Sequence, residues 1–298
     1  MELRHLRYFL AVAEELHFGR AADRLGIRQP PLSQQIRALE RDLGVTLFDR
    51  SSRTVRLTAA GETLRTTARD VLTSAQAARQ ATQQAGRGDS GTLVLGFVGS
   101  ATLALLPRTL RRFRERYPGV GLTLRELTTV QQARALHAGT LDIGLLRPPL
   151  TAGDAAGLDV QPLGAERLLV ALPADHPLAA EGAVSAERLA GEQFVLFPRD
   201  LGPGLYDQIT ACCRQAGFTP NVVQEAVQMQ TIVALVAGGL GVSLVPSSVA
   251  GLRRREVAFR PLSPATRIVH LAMARRVGDI DPVVGNFAAV ARDVAGRA

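Results

Sequence analysis

The chain contains no lysine: all 35 of its basic residues are arginine. That is a bias of composition, such as a GC-rich genome produces, and carries no functional signal of its own. Against 27 acidic residues it leaves a net charge of +8, which suits a polyanionic partner. Cysteine is almost as scarce. Cys212 and Cys213 are the only two. Adjacent cysteines rarely form a structural disulfide, so they read as buried helix residues in a reducing compartment. No apolar run approaches the ~20 residues of a membrane span. Glu2, Arg4, Arg7, Glu14 and Glu15 interrupt any signal-peptide core. These absences point to the cytoplasm. The five histidines show no metal-ligand spacing, so neither a metal nor a cofactor is expected. No paired nucleophile and base and no Gly-rich phosphate loop appears, which argues against an enzyme. What the chain has is 298 residues, 46% of them hydrophobic, enough for two domains with sizeable cores.

The most informative stretch is FGRAADRLGIRQPPLSQQIRALERDL, residues 18–43. Ala21, Ala22 and Leu25 belong to one short helix, and Gly26 follows where a helix end favours positive φ. Pro30 and Pro31 fit a helix's first turn, where N–H groups lack intrahelical partners. Leu32, Ile36, Leu39 and Leu43 then form one apolar face. Ser33, Gln34, Arg37 and Arg41 occupy the other. Two short helices around a Gly turn, the second basic and amide-rich outside, spell a helix-turn-helix. Ahead of it, Leu3, Leu6, Leu10 and Ala13 give a buttressing helix its apolar face. Gly19 falls at the expected N-cap of the next helix, where Ser or Thr would cap better. After it, 45–48 and 54–57 read as two strands of a wing. Arg50, Arg53 and Arg56 cluster there, and arginine at a hairpin tip suits a minor groove.

The first sixty residues resemble the DNA-binding domain of LysR-type transcriptional regulators. An ungapped run carries the likeness, from Leu6, Phe9 and Ala13 through Gln29, Pro30, Ser33 and Ile36 to Arg50, Thr58 and Gly61. The resemblance implies a winged helix-turn-helix over 1–58, with Gln29, Pro30, Pro31, Ser33, Gln34, Arg37, Arg50 and Arg53 on double-stranded promoter DNA. It also implies RNA polymerase as a further partner.

Thr58 is the expected N-cap of a proline-free helix over 59–88, on the order of 40 Å long. Leu64, Ala68, Val71, Ala75, Ala78, Thr82 and Ala85 alternate spacings of four and three, a heptad seam of small residues that calls for a second helix and hence a homodimer. In the resembled family this linker pairs antiparallel, and homotetramers form. Gly86–Gly91 reads as a flexible hinge.

From 89 to 298 the pattern is α/β. Strands are expected at 92–98, 120–126, 141–146, 167–172, 193–197, 222–227, 241–246, 257–261 and 267–273. Helices are expected at 103–117, 129–138, 205–216, 231–237 and 282–295. This alternation suits a mostly parallel sheet. Two similar halves, 92–161 with 267–298 and 162–266, joined by crossovers near 161–166 and 261–267, resemble a type-2 periplasmic-binding-protein fold, the effector domain of the same family. In such folds small ligands sit between the halves at strand carboxyl ends. Val98, Gly99 and Ser100 end one strand; Thr128 and Thr129 end another; Pro203 and Leu205 open a helix, as do Gln228 and Met229. Helix N-termini with nearby hydroxyls favour a carboxylate, and Arg147 is placed to add a charge-assisted contact. Ser100 and Thr129 also serve as candidate N-caps. GFVGS, LLPR, Arg147 and SLVP resemble the branch that senses benzoate, muconate and chloromuconates. There the residues matching Ser100, Thr129, Pro203 and Leu205 line the carboxylate pocket. Leu205 and Gln228 depart from that pattern.

Overall fold

A computed structural model of the chain describes residues 1–50, 54–263 and 268–297. It divides into two compact units, Met1–Gln84 and Ala85–Ala298.

The first unit begins with α1 (Leu3–Glu15), α2 (Phe18–Leu25) and α3 (Gln29–Leu43). Leu6, Phe9, Val12 and Ala13 of α1 are buried, so its inner face lies one step round from the expected one. Leu3 is exposed and Leu10 only half-buried. The N-cap of α2 is His17, not Gly19: the His17 Nδ1 accepts from the Gly19 and Arg20 N–H groups at 3.1 and 3.2 Å. Gly26 ends the helix at φ 67°, where a side chain would be strained. In α3, Leu32, Ile36 and Leu39 are fully buried, but Leu43 is 38% exposed. It stands at the last turn, beyond the edge of the core. The wing is shorter than the sequence suggests: β1 (Phe48–Asp49) pairs antiparallel with β2 (Arg56–Leu57). Phe48 seats the wing by packing against Phe9 and Phe18, at ring-centroid distances of 5.3 and 5.7 Å.

Thr58 caps α4 (Ala59–Arg87) by accepting from the Gly61 N–H at 3.0 Å. The expected seam divides. Leu64 and Ala68 pack into the core of their own unit, whereas Val71 is 43% exposed. Ala78, Thr82 and Ala85 are exposed and Ala75 half-buried. The expected hinge is tied down from its second residue, because Asn286 donates to the Arg87 carbonyl at 2.9 Å and Gly88 is buried.

The second unit runs β3 (Ser90–Phe97), α5 (Leu105–Arg116), β4 (Gly119–Glu126), α6 (Thr129–His137), β5 (Ile143–Leu146), α7 (Ala152–Ala155), β6 (Leu158–Pro173), β7 (Val184–Ser185), β8 (Gln193–Leu196), α8 (Pro203–Gln215), β9 (Asn221–Glu225), α9 (Met229–Ala237), β10 (Ser243–Pro246), β11 (Val257–Ser263), β12 (Ile268–Arg276) and α10 (Pro282–Ala295). β3 pairs in parallel with β4 and β5, and β8 with β9. β8 and β9 form a sheet of their own. In the eight-stranded sheet β7 runs parallel to β11, but the middle ladders, β5–β12, β12–β6, β6–β10 and β6–β11, are antiparallel, which corrects the expectation of a mostly parallel sheet. The cause is β6, a single strand of 16 residues. Residues 158–167 pair with β12, and residues 168–173 pair with β10 and β11. One expected crossover is therefore an unbroken strand that passes from one half to the other. A bulge opposite Leu271/Ala272 absorbs Leu163, next to Pro162, which has no N–H to give the ladder. Of the other expected crossover, near 261–267, residues 261–263 end β11, and 264–267 lie outside the described residues. Each half has its own core, around Leu93, Phe113 and Phe287 in one and Phe194, Ile232 and Val245 in the other. Cys212 and Cys213 are buried in the second of these on α8. Burial pushes the Cys213 thiol up to about 12, so it holds its proton at neutral pH.

Candidate DNA-binding face and effector cleft

On α3 the residues with buried side chains turn inward and leave Gln29, Pro30, Pro31, Gln34, Arg37 and Arg41 exposed, with Ser33 half-buried. Pro30 and Pro31 occupy the first turn, where they cost no hydrogen bond. Arg28, the N-cap residue, is exposed alongside them. The wing arginines separate. Arg50 stays exposed but folds back on its own unit: its Nη2 donates to Glu40 Oε2 at 3.1 Å, and its guanidinium lies 4.9 Å from the Phe18 ring centre. Glu40 Oε1 accepts in turn from the Leu47 and Phe48 N–H groups at 2.9 and 3.2 Å. Arg50 thus fastens the wing to α3 rather than extending from its tip. Arg56 is exposed on β2, and Arg53 lies outside the described residues.

In the second unit, strand ends and helix starts bring the expected ligand residues into one cleft. Val98, Gly99, Ser100, Thr129 and Arg147 line one wall. Leu205, Gln228 and Met229 line the other, joined by Gly202 of the 198–205 segment and by Phe197, which the sequence did not single out. The space open in this cleft is about 40 Å³, tight and well below the ~300 Å³ at which ligand-filled sites begin. Pro203 opens α8 from a half-buried position outside this wall. Thr128 belongs to an adjoining chamber. It is also the true N-cap of α6, forming a capping box with Gln131. That corrects the capping role expected of Thr129. Ser100, likewise a candidate cap, sits inside a short 3-10 turn whose N-cap is Val98.

Freed from capping, the two hydroxyls both meet Arg147. The Arg147 Nε donates to Ser100 Oγ at 3.0 Å, and the Arg147 backbone N–H donates to Thr129 Oγ1 at 3.3 Å. Arg147 is 4% exposed. Its charge is not left over for a ligand, as the sequence suggested: Nη2 donates to Glu166 Oε1 at 2.8 Å. Only Nη1, buried, has no partner among the described residues. Glu166 also accepts from the Ser248 N–H at 2.9 Å. Burial works to raise the Glu166 carboxyl, but the Arg147 charge and the bonds from Ser248 and Arg147 outweigh it and hold it below the ordinary carboxylate value. No sequence signal marked Glu166, because its partners lie 19 and 82 residues away.

The architecture is that of a DNA-binding regulator: a winged helix-turn-helix, a long helix, and a two-lobed α/β domain with a cleft between the lobes. Residues 3–62 match the bacterial regulatory helix-turn-helix protein model of the lysR family, and residues 86–296 match the LysR substrate binding domain. The chain belongs to the LysR family of transcriptional regulators and is not an enzyme. It is 41% identical to the HTH-type transcriptional regulator AlsR of Bacillus subtilis (strain 168), over 96% of this chain and 94% of that one. Among solved structures it is similar to CbnR, a LysR family transcriptional regulator, at 31% identity and a TM-score of 0.85 over 98% of this chain and 100% of the other. It is also similar to full-length CbnR complexed with its target DNA, at a TM-score of 0.82 and 31% identity, over 99% of this chain and 100% of that one. No helix among the described residues is long and apolar enough to cross a membrane.

Proposed function

We propose that this regulator works in the cytoplasm as a homodimer or homotetramer on promoter DNA, and that a small organic acid held by Ser100, Thr129 and Arg147 sets its state. One observation carries the effector reading. Each hydroxyl already accepts a bond from Arg147, so each keeps its own O–H proton to donate. Two hydroxyl donors and the unpaired Arg147 Nη1 in one buried cleft suit an acceptor-only group such as a carboxylate. DNA contact falls to Gln29, Pro30, Pro31, Ser33, Gln34 and Arg37 of α3 and to the wing. The exposed small residues of α4 supply a helix-pairing seam for a second copy. The outer strands β4 and β9 support self-association as well, since Leu124 and Val223 are 44% and 43% exposed there and uncovered apolar edges invite pairing. Likeness to the benzoate- and muconate-sensing branch extends the reading to genes of aromatic-compound breakdown, with RNA polymerase as the downstream partner.

A thermal-shift screen of aromatic acids and ring-cleavage dicarboxylates tests the reading. Ligand at 100 times its Kd should stabilise the native state by about 2.7 kcal/mol. It should also alter the footprint of the protein on DNA upstream of the neighbouring gene. A screen in which no acid shifts the transition would contradict it.

A further inference from the structure

The cleft has a second, outer chamber. It shares Val98, Gly99, Phe197, Val227 and Gln228 with the inner one, so a single ligand can reach both. Its wall carries Glu126, the last residue of β4. Glu126 is exposed and forms no ion pair among the described residues. Gln228 is the N-cap residue of α9, yet its side chain makes no capping bond. It extends instead over Gly99. A Cβ on Gly99 would stand 2.5 Å from Gln228 Oε1 and 2.6 Å from Glu126 Oε1. Two acceptor oxygens, one from each lobe, therefore converge on the same point above the Gly99 backbone. A carboxylate accepts only, whichever way the neighbouring amide is turned.

The two ends of the cleft thus have opposite demands. Ser100, Thr129 and Arg147 Nη1 offer donors, whereas Glu126 and Gln228 offer acceptors. Between them Phe197, Leu205 and Met229 provide apolar wall. We infer that the effector is a two-ended molecule, with a carboxylate at the inner end, an apolar body, and a hydroxyl or amino donor at the Glu126–Gln228 end. A dicarboxylate of the same length is disfavoured, because its second charge meets Glu126. This inference rests on the carboxylate reading of the inner chamber.

Two matched trios of probes test it on the full chain by titration calorimetry: benzoate, 4-hydroxybenzoate and terephthalate, and butyrate, 4-hydroxybutyrate and succinate. In at least one trio the hydroxy acid should bind about fivefold or more tighter than the plain acid, the gain of one hydrogen bond, and the dicarboxylate should bind weakest. Glu126→Gln, at an exposed position, should abolish the discrimination against the dicarboxylate. Ser100→Ala should weaken every member of a trio alike and leave the ranking intact. If no probe binds the parent protein, the carboxylate reading fails and this inference falls with it. If the probes bind and Ser100→Ala weakens them, but the dicarboxylate ranks first or the ranking is the same in Glu126→Gln, the inner reading stands and the polarity of the cleft is refuted.

Discussion

Arg147 and Ser100 are joined by a 3.0 Å bond from the arginine Nε to the serine Oγ, although 47 residues separate them. The bond fixes the serine as an acceptor toward the protein and leaves its proton for the cleft. The same arginine is held from behind by Glu166, so one side chain links the strand end that carries the site to the strand that both lobes share.

The wing arginines should behave differently from one another. Arg56→Ala should weaken DNA binding across all sequences and flatten its salt dependence by the equivalent of about one phosphate contact. Arg50→Ala should instead lower stability, through the lost tie between the wing and α3, by roughly 1 kcal/mol for a partly exposed ion pair. Fluorescence anisotropy across a salt series, with a denaturation curve for each variant, separates the two. An unchanged slope for Arg56→Ala would remove it from the interface.

Gln34 is exposed on the outer face of α3. Gln pairs in bidentate fashion with adenine and Arg with guanine. Gln34→Arg should shift the preference at one position of each half-site toward G, by about 1–3 kcal/mol. Selection from random DNA reads this directly, and identical half-sites for both proteins would take Gln34 out of base readout.

Ala75→Glu should place like charges in the proposed α4 seam and move the protein toward monomer, with the second unit still folded. Sedimentation velocity measures it. An oligomer unaffected by the change would mean that the pairing face lies elsewhere, on the β4 or β9 edges.

The lowered Glu166 carboxyl has a consequence for pH. A carboxylate whose folded pKa is depressed contributes stability that is present above its unfolded pKa of about 4.3 and is lost as pH falls through the folded value. Glu166→Gln should therefore cost stability at neutral pH, roughly 3 kcal/mol, near the low end for a buried pair, since Glu166 keeps 15% exposure. The gap to the parent protein should narrow below about pH 4. Denaturant titrations at pH 7 and at about pH 3, inside that window, would show this. A difference that does not change with pH would mean that the pair contributes through packing and not through charge.

Much of this was legible in the sequence because it is local. The Gly26 turn, the paired prolines and the apolar face of α3 all follow from neighbours within a few residues. So do the strand-to-helix junctions that carry Ser100 and Thr129. What the sequence hid depends on distant partners. Arg50 looks like a groove-reaching arginine until Glu40 and Phe18 are placed beside it. His17 replaces the expected cap because its ring happens to reach two N–H groups over Gly19. The sequence placed a crossover near 161–166 and a separate strand at 167–172, and their continuity as β6 appears only when the ladder to β12 is seen to carry on past the bulge at Leu163. Glu126 and Gln228 become a pair only when the two lobes are closed over Gly99.

Calorimetric titration of Ser100→Ala and Thr129→Val with the best acid from the screen tests the central claim most directly. Each should lose roughly 1–3 kcal/mol of binding, about five- to 150-fold, for a bond to a charged group. Operator affinity without effector should be unchanged, since both residues lie outside the first unit. If both variants bind that acid as tightly as the parent, the carboxylate is held elsewhere and the account of this cleft is wrong.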